Sequence, residues 1–249
     1  MKKRIICIIV LIINTVILSS CNKTESSIEK LSLELINKYS IDVVEPSGLD
    51  LSKNNESLWA VSDKHSKIYQ LDLMGRILQE IDIPGNDFEG ITLDINGHSL
   101  WLAQESLSEL LRIDTLGNEL QRIYVAGASN GSGGLEGITI NTSKNHILLL
   151  KEKDPSVLIE LNTTFEPVLF KHLYTASDYS GMDYNEINNE LWIVSDQDKK
   201  VYQCDIRGNM INSYSINIAK AEGIAFDREN NLIYIVSDSE ESLYIFKLN

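Results

Sequence analysis

The sequence predicts an all-β fold: a five-bladed β-propeller of four-stranded antiparallel blades, closed by an N-terminal strand that completes the last blade. Three observations lead there. A glycine recurs five times, as Gly48, Gly90, Gly137, Gly181 and Gly223, each followed by a short apolar run. A carboxylate follows each glycine after 15 residues, giving Asp63, Glu105, Glu152, Asp196 and Asp238, while the glycine-to-glycine steps drift through 42, 47, 44 and 42. A spacing held fixed inside a drifting period marks a rigid unit, and a period of about 40 to 50 residues built from short strands marks a propeller blade. Finally, no stretch sustains a helical period, and Gly and Asn punctuate roughly every ten residues.

A leader precedes the repeats. Met1-Lys2-Lys3-Arg4 is basic, Ile5 to Leu18 is almost unbroken apolar chain, and Leu18-Ser19-Ser20-Cys21 follows. The apolar core is short for a lone membrane span and reads as a secretory signal. Its ending resembles a bacterial lipobox, so residues 1–21 are expected to be a lipoprotein signal peptide and Cys21 the acylated N-terminus. An ordinary signal peptide with an incidental cysteine is the alternative. Residues 22–32 suit a flexible tether, and the expected location is the cell envelope, lipid-anchored to a membrane.

Of the three cysteines, Cys7 leaves with the leader and Cys21 carries lipid, so Cys204 has no partner for a disulfide. It falls in a strand pattern and reads as a small packing residue. Loss of Lys2, Lys3 and Arg4 takes the formal charge from −14 to −17. Such a surface argues against nucleic acid as a partner and suits cations. The chain is expected to be a monomer.

The blades are expected at 47–83, 89–125, 136–173, 180–216 and 222–248, with the strand at 33–42. Blade two shows the parsing: Gly90 to Asp94, Leu100 to Ala103, Glu109 to Asp114, Leu120 to Val125, with a turn-forming Asn96-Gly97-His98 between the first two. An Asp-x-x-Gly turn joins strands three and four at Asp72 to Gly75, Asp114 to Gly117 and Asp205 to Gly208, with Asn162 to Phe165 in its place in blade three. Blade five runs out of chain after its third strand. Asn37 lies 11 residues before Gly48, as Asn212 lies 11 before Gly223, and both open similar strands. The segment before blade one is therefore the missing outer strand, and its pairing removes an exposed edge.

The start of a first strand and the end of the antiparallel second strand share one face. Glu89, Glu136 and Glu222 precede three of the glycines, and Ser47 and Ser180 precede the other two. Together with Asp63, Glu105, Glu152, Asp196 and Asp238, these glutamates should crowd one mouth of the channel, displaced toward blades two, three and five. Two like charges about 8 Å apart repel by roughly 2 kcal/mol at an effective dielectric near 20, so the mouth calls for a counter-charge. Oxygen donors without Cys or His are the chemistry of a hard cation, above all Ca²⁺. The competing reading is structural, in which Asp63, Asp196 and Asp238 bind turn amides.

These motifs also resemble a known family. Glu45-Pro46-Ser47-Gly48-Leu49, Phe88-Glu89-Gly90-Ile91, Leu135-Glu136-Gly137-Ile138, Lys151-Glu152-Lys153-Asp154-Pro155, Tyr179-Ser180-Gly181-Met182 and Ala221-Glu222-Gly223-Ile224 look like successive motifs of the SdiA-regulated (YjiK-like) family. The resemblance covers about residues 35 to 249. It implies a five-bladed propeller distantly akin to NHL-repeat proteins, with bound calcium and no established reaction.

Other signals narrow the chemistry. The run Gly127 to Gly134 lacks the ending of a phosphate loop and reads as a mobile loop beside the acidic mouth. His98 and His146 fall in turns on the opposite face, His172 in an outer strand, and His65 after Asp63. Trp59, Trp101 and Trp192 share one second-strand position and read as inter-blade core. No nucleophile elbow is visible. Two function classes remain: a calcium-binding lipoprotein that holds a small-molecule or protein ligand at the mouth, and a calcium-dependent hydrolase of phosphoesters or lactones.

Overall fold

A computed structural model of the chain describes residues 31–129 and 131–249; the expected leader, Cys21 and most of the tether lie outside them. Strand β1 (Leu33–Ser40) comes first. Blade one is β2 (Pro46–Leu51), β3 (Ser57–Ser62), β4 (Lys67–Asp72) and β5 (Ile77–Asp82). Blade two is β6 (Phe88–Leu93), β7 (Ser99–Gln104), β8 (Glu109–Asp114) and β9 (Glu119–Tyr124). Blade three is β10 (Leu135–Asn141), β11 (His146–Lys151), β12 (Val157–Leu161) and β13 (Pro167–His172). Blade four is β14 (Gly181–Asn185), β15 (Glu190–Ser195), β16 (Lys200–Asp205) and β17 (Met210–Ser215). Blade five takes β18 (Ala221–Asp227), β19 (Leu232–Ser237) and β20 (Ser242–Leu248).

Each blade is a four-stranded antiparallel sheet, and blade five has the order β1-β20-β19-β18. The displaced strand therefore closes the ring, running from Leu33 opposite Leu248 to Ser40 opposite Ser242. The Asp-x-x-Gly turns form as their sequence predicts. Asp72 Oδ1 accepts the amides of Met74 and Arg76 at 2.9 Å each, and Asp114, Asn162 and Asp205 repeat the arrangement.

Burial follows the alternation of the strands. Apolar side chains group into five clusters, one at each seam between neighbouring blades. Trp59, Trp101 and Trp192 sit in these seams at 5%, 3% and 1% exposure, as expected. Cys204 is buried in the seam of blades three and four, where burial pushes its thiol up to about 12. His146 is not in a turn: it opens β11, its ring Nδ1 lying 2.8 Å from Glu160 Oε1.

At the axis the repeat glycines let the inner strands approach more closely than a side chain allows. A Cβ on Gly181 would stand 2.2 Å from the Glu222 carbonyl oxygen, and one on Gly223 would stand 2.3 Å from that of Ser47. The five glycines line a space of about 10 Å³, close to the volume a single water needs. The channel is thus pinched between its two mouths.

Candidate metal centre at the channel mouth

The pinch leaves a cavity of about 330 Å³ on the side where first strands start and second strands end. All eight carboxylates expected from the repeat line it, joined by Glu45 and Asp178, against the two lysines Lys153 and Lys220. Backbone irregularity helps aim them. In β2, β6, β10 and β18 the pairing register shifts at the glycine motif. A bulge of this kind rotates the residue before the glycine away from the strand's alternation, which turns Glu89, Glu136 and Glu222 to the mouth.

The residue before each constant carboxylate is a tie. Ser62 donates to the Val44 carbonyl at 2.6 Å, Gln104 to Asn86 at 2.7 Å, Lys151 to Ser132 at 2.6 Å and Ser237 to Ala219 at 2.5 Å. In blade four Ser195 donates instead to the Asp178 carboxylate. The same serines cap the turn after the second strand: Ser62 accepts from His65 N at 3.0 Å, and Ser195 and Ser237 accept from Asp198 N and Glu240 N at 3.2 Å each. The turn-fixing role proposed for Asp63, Asp196 and Asp238 therefore falls to their serine neighbours, which frees the aspartates to face the cavity.

Two groups are close enough for shared coordination. Asp63, Asp87 and Glu89 form one, and Glu105, Glu136 and Glu152 the other, each offering ligand atoms within 4.8 Å of one another. These lie at blades one to three. Neither group includes a residue of blade five, although Glu222 and Asp238 of that blade line the cavity. Lys199 Nζ sits 2.6 Å from Asp196 Oδ1, and Lys220 Nζ sits 3.8 Å from Glu222 Oε1. Asp196, Asp238 and Glu222 face the cavity without joining a close group.

Crowding and burial act on the protons of these acids. Burial raises Glu89 to about 9 against the pull of its Ser47 hydrogen bond, and raises Glu222 to about 7. Burial, then the charges of Glu89, Glu105, Glu152 and Glu222, hold Glu136 well above the carboxylate range. Asp63, Glu105 and Asp238 are also raised, in each case mainly by burial.

Six lining or cluster residues were missed by the sequence reading: Glu45, Asp87, Lys153, Asp178, Gln197 and Lys220. Glu45, Asp87, Asp178 and Lys220 stand three residues before a repeat glycine, so the same offset counting finds them, and Lys153 and Gln197 each directly follow a constant carboxylate. Glu45, Asp87 and Lys220 share a left-handed backbone with φ of 45°, 63° and 48°, and their carbonyls accept the amides of Asp63, Glu105 and Asp238 at 2.9 to 3.0 Å. Asp178 has a turn role, accepting Gln197 N at 3.1 Å.

The other mouth differs in kind. Its cavity, about 280 Å³, is lined by Asp50, Asp183 and Arg228 among others. Asp50 accepts Leu93 N and Asp183 accepts Phe226 N, both at 2.7 Å, and Arg228 pairs with Asp183 at 2.9 Å. Those carboxylates tie inner strands together. The carboxylates of the acidic mouth have far fewer protein donors, and an all-oxygen set of this kind fits a hard divalent cation.

The fold recurs among solved proteins. Glutaminyl cyclase from Myxococcus xanthus is similar with a TM-score of 0.68 at 14% identity, covering 88% of this chain and 97% of that one. A catalytically inactive virginiamycin B lyase from Staphylococcus aureus with quinupristin matches with a TM-score of 0.53 at 18% identity, covering 82% of this chain and 66% of the lyase. A streptogramin B lyase matches with a TM-score of 0.54 at 14% identity, covering 88% and 98%. At such identities the likeness concerns the fold alone. No curated protein matches the chain. Its sequence from residue 25 to 247 matches the SdiA-regulated family, and the chain belongs to that family.

Proposed function

We propose that this protein is a membrane-anchored calcium-binding propeller of the cell envelope that takes a small-molecule or protein ligand at its acidic mouth. The observation that carries the reading is the convergence of ten carboxylates on one cavity that holds only two lysines. Without a cation, burial favours the protonated form of Glu89, Glu136 and Glu222. A divalent ion supplies the missing positive charge through oxygen ligands alone. Glu89, Glu105, Glu136, Glu152 and Asp63 would hold it, with Asp196, Asp238 and Glu222 completing the field from the far wall.

Calorimetry of the purified domain tests this reading, together with melting in calcium and in chelator. Calcium at about 100 times its dissociation constant should stabilise by roughly 2.7 kcal/mol, and magnesium should do less because it demands a tighter octahedron. A melting temperature indifferent to chelator, with no calcium heat, rules the reading out. A calcium-dependent hydrolase would use the same ion to polarise a phosphoester or lactone; turnover of such substrates that stops in chelator would favour it. The anchor has its own test: Cys21→Ala should leave the membrane fraction and lose its lipid mass, whereas soluble, unmodified parent protein would exclude it.

A further inference from the structure

Ring geometry singles out one glutamate. The residues before the five glycines are Ser47, Glu89, Glu136, Ser180 and Glu222. Ser47 donates to Glu89 Oε2 at 2.5 Å, and Lys220 Nζ stands 3.8 Å from Glu222 Oε1. A serine serves one of the three glutamates and a lysine faces another, and Glu136 is left over. It is 8% exposed, faces the cavity, and accepts no hydrogen bond among the described residues. With no protein donor, the ionised form of this acid needs a cation to meet its charge, and a proton takes that place otherwise.

Its neighbours are held in place. Glu105 Oε1 accepts Gly134 N at 2.8 Å, and Glu152 N donates to the Gly134 carbonyl at 3.0 Å. The approach is close: a Cβ on Gly134 would lie 2.1 Å from Glu105 Cγ. Lys151, fully buried, fastens this segment from below by donating to the carbonyls of Ser132 and Lys153. Ser132 and Gly134 of the glycine-rich run are thus held against this group.

Lys153 has a pinned backbone and a free side chain. Its carbonyl is held by Lys151, while its ammonium lies 2.5 Å from Glu152 Oε1 with 41% of the side chain exposed. Glu136 and Glu105 add to the field that holds the charge there. The close group Asp63, Asp87 and Glu89 has no such tethered cation, and its acids draw on Ser47 and Ser106 N.

The geometry points to one off-axis cation position, formed by Glu105, Glu136 and Glu152, whose Glu152 is paired with the Lys153 ammonium until an ion displaces it. This rests on the calcium reading above and deepens it. The lysine keeps the glutamates partly neutralised and raises the calcium concentration needed to enter.

Calcium titration of the full chain by calorimetry tests the proposal through an unusual sign. Removing a side chain that touches the site should tighten binding: Lys153→Met should lower the calcium dissociation constant about tenfold, since a like charge leaves the position. Lys153→Arg should stay near the parent. Lys220→Met, facing Glu222 outside the group, should change the constant by no more than about twofold. Glu136→Gln should weaken binding by about tenfold or more. Metal-free circular dichroism of each variant establishes that the blades persist. If the parent binds calcium but Lys153→Met does not tighten it, or Lys220→Met tightens it equally, the displaced lysine is wrong. Unchanged binding in a folded Glu136→Gln moves the ion elsewhere. A parent that binds no calcium overturns the proposal together with the reading beneath it.

Discussion

The Ser47 hydroxyl donates to both the carbonyl of Glu89, at 2.9 Å, and its carboxylate Oε2, at 2.5 Å. One small side chain in blade one thus ties down the backbone and the buried acid of blade two. Ser47, which interrupts the glutamate pattern, is thus the partner of the glutamate that follows it around the ring.

Ser47→Ala should therefore act on Glu89. Losing a part-buried hydrogen bond of this kind should lower stability by roughly 1 kcal/mol. It should also leave the Glu89 proton harder to remove, because the hydroxyl favours the charged form. Denaturant unfolding measures the first effect. Proton release on calcium binding, read from calorimetry in buffers of different ionisation enthalpy, measures the second and should rise near pH 9, where the parent's Glu89 has already lost part of its proton. Equal stability and equal proton release in parent and variant would show the bond to be idle.

Ring closure gives a larger effect. Deleting residues 31–42 removes β1 from its pairing with β20 and uncovers the seam packed by Tyr39 and Ile41. Blade five would keep three strands and an open edge. Melting should fall by more than about 10 °C, which corresponds to several kcal/mol for a domain of this size, or the protein should aggregate. A deletion that melts with the parent would mean that the ring does not depend on this strand.

The fold was legible because a propeller repeats its local rules. The constant offset between Gly48 and Asp63, and its four copies, fixed both the blade count and the face on which the acids meet. The shared segment before Gly48 and Gly223 likewise exposed the closing strand. What could not be read was set by contacts between blades. The bulge that turns Glu89 to the mouth depends on pairing with β7, and the lysines that neutralise Asp196 and Glu222 come from adjoining turns. The tie made by Lys151 could not be read either, because its partners, the Ser132 and Lys153 carbonyls, only meet it in the fold.

The glycines at the pinch allow a graded prediction. Gly181→Ala would drive a methyl to 2.2 Å from the Glu222 carbonyl oxygen, a backbone atom that cannot move without shifting β18. In Gly137→Ala the nearest atoms are Cβ of Leu150 and Cβ of Met182, at 3.0 and 3.1 Å. Overpacking of the first kind should cost about 1–3 kcal/mol or more, and the second should cost less. Denaturant midpoints of the two variants would check the order. A Gly181→Ala protein as stable as the parent would show that the inner strands are not held at this separation.

Proton linkage makes the last prediction, and its sign runs against the usual behaviour of acidic groups. Glu89 rises from an ordinary 4.5 to about 9 in the fold, and Glu222 from 4.5 to about 7. A folded state that keeps protons which the unfolded chain releases is favoured at low pH. Its stability advantage is complete below the unfolded value and is lost as pH rises through the folded one. In chelator, melting temperature should therefore fall steadily between about pH 5 and pH 9. Calcium should flatten the upper part of that slope, because the ion takes over from the protons as counter-charge and binds better as they leave. A residual fall should persist up to about pH 7 even in calcium, since Asp50, raised from 3.8 to about 7, lines the opposite mouth beyond the reach of the ion. Calorimetric melting across this range, with and without calcium, would decide it. A metal-free melting temperature that is flat, or that climbs with pH, would mean that the buried glutamates are ionised and their charge is met in some other way.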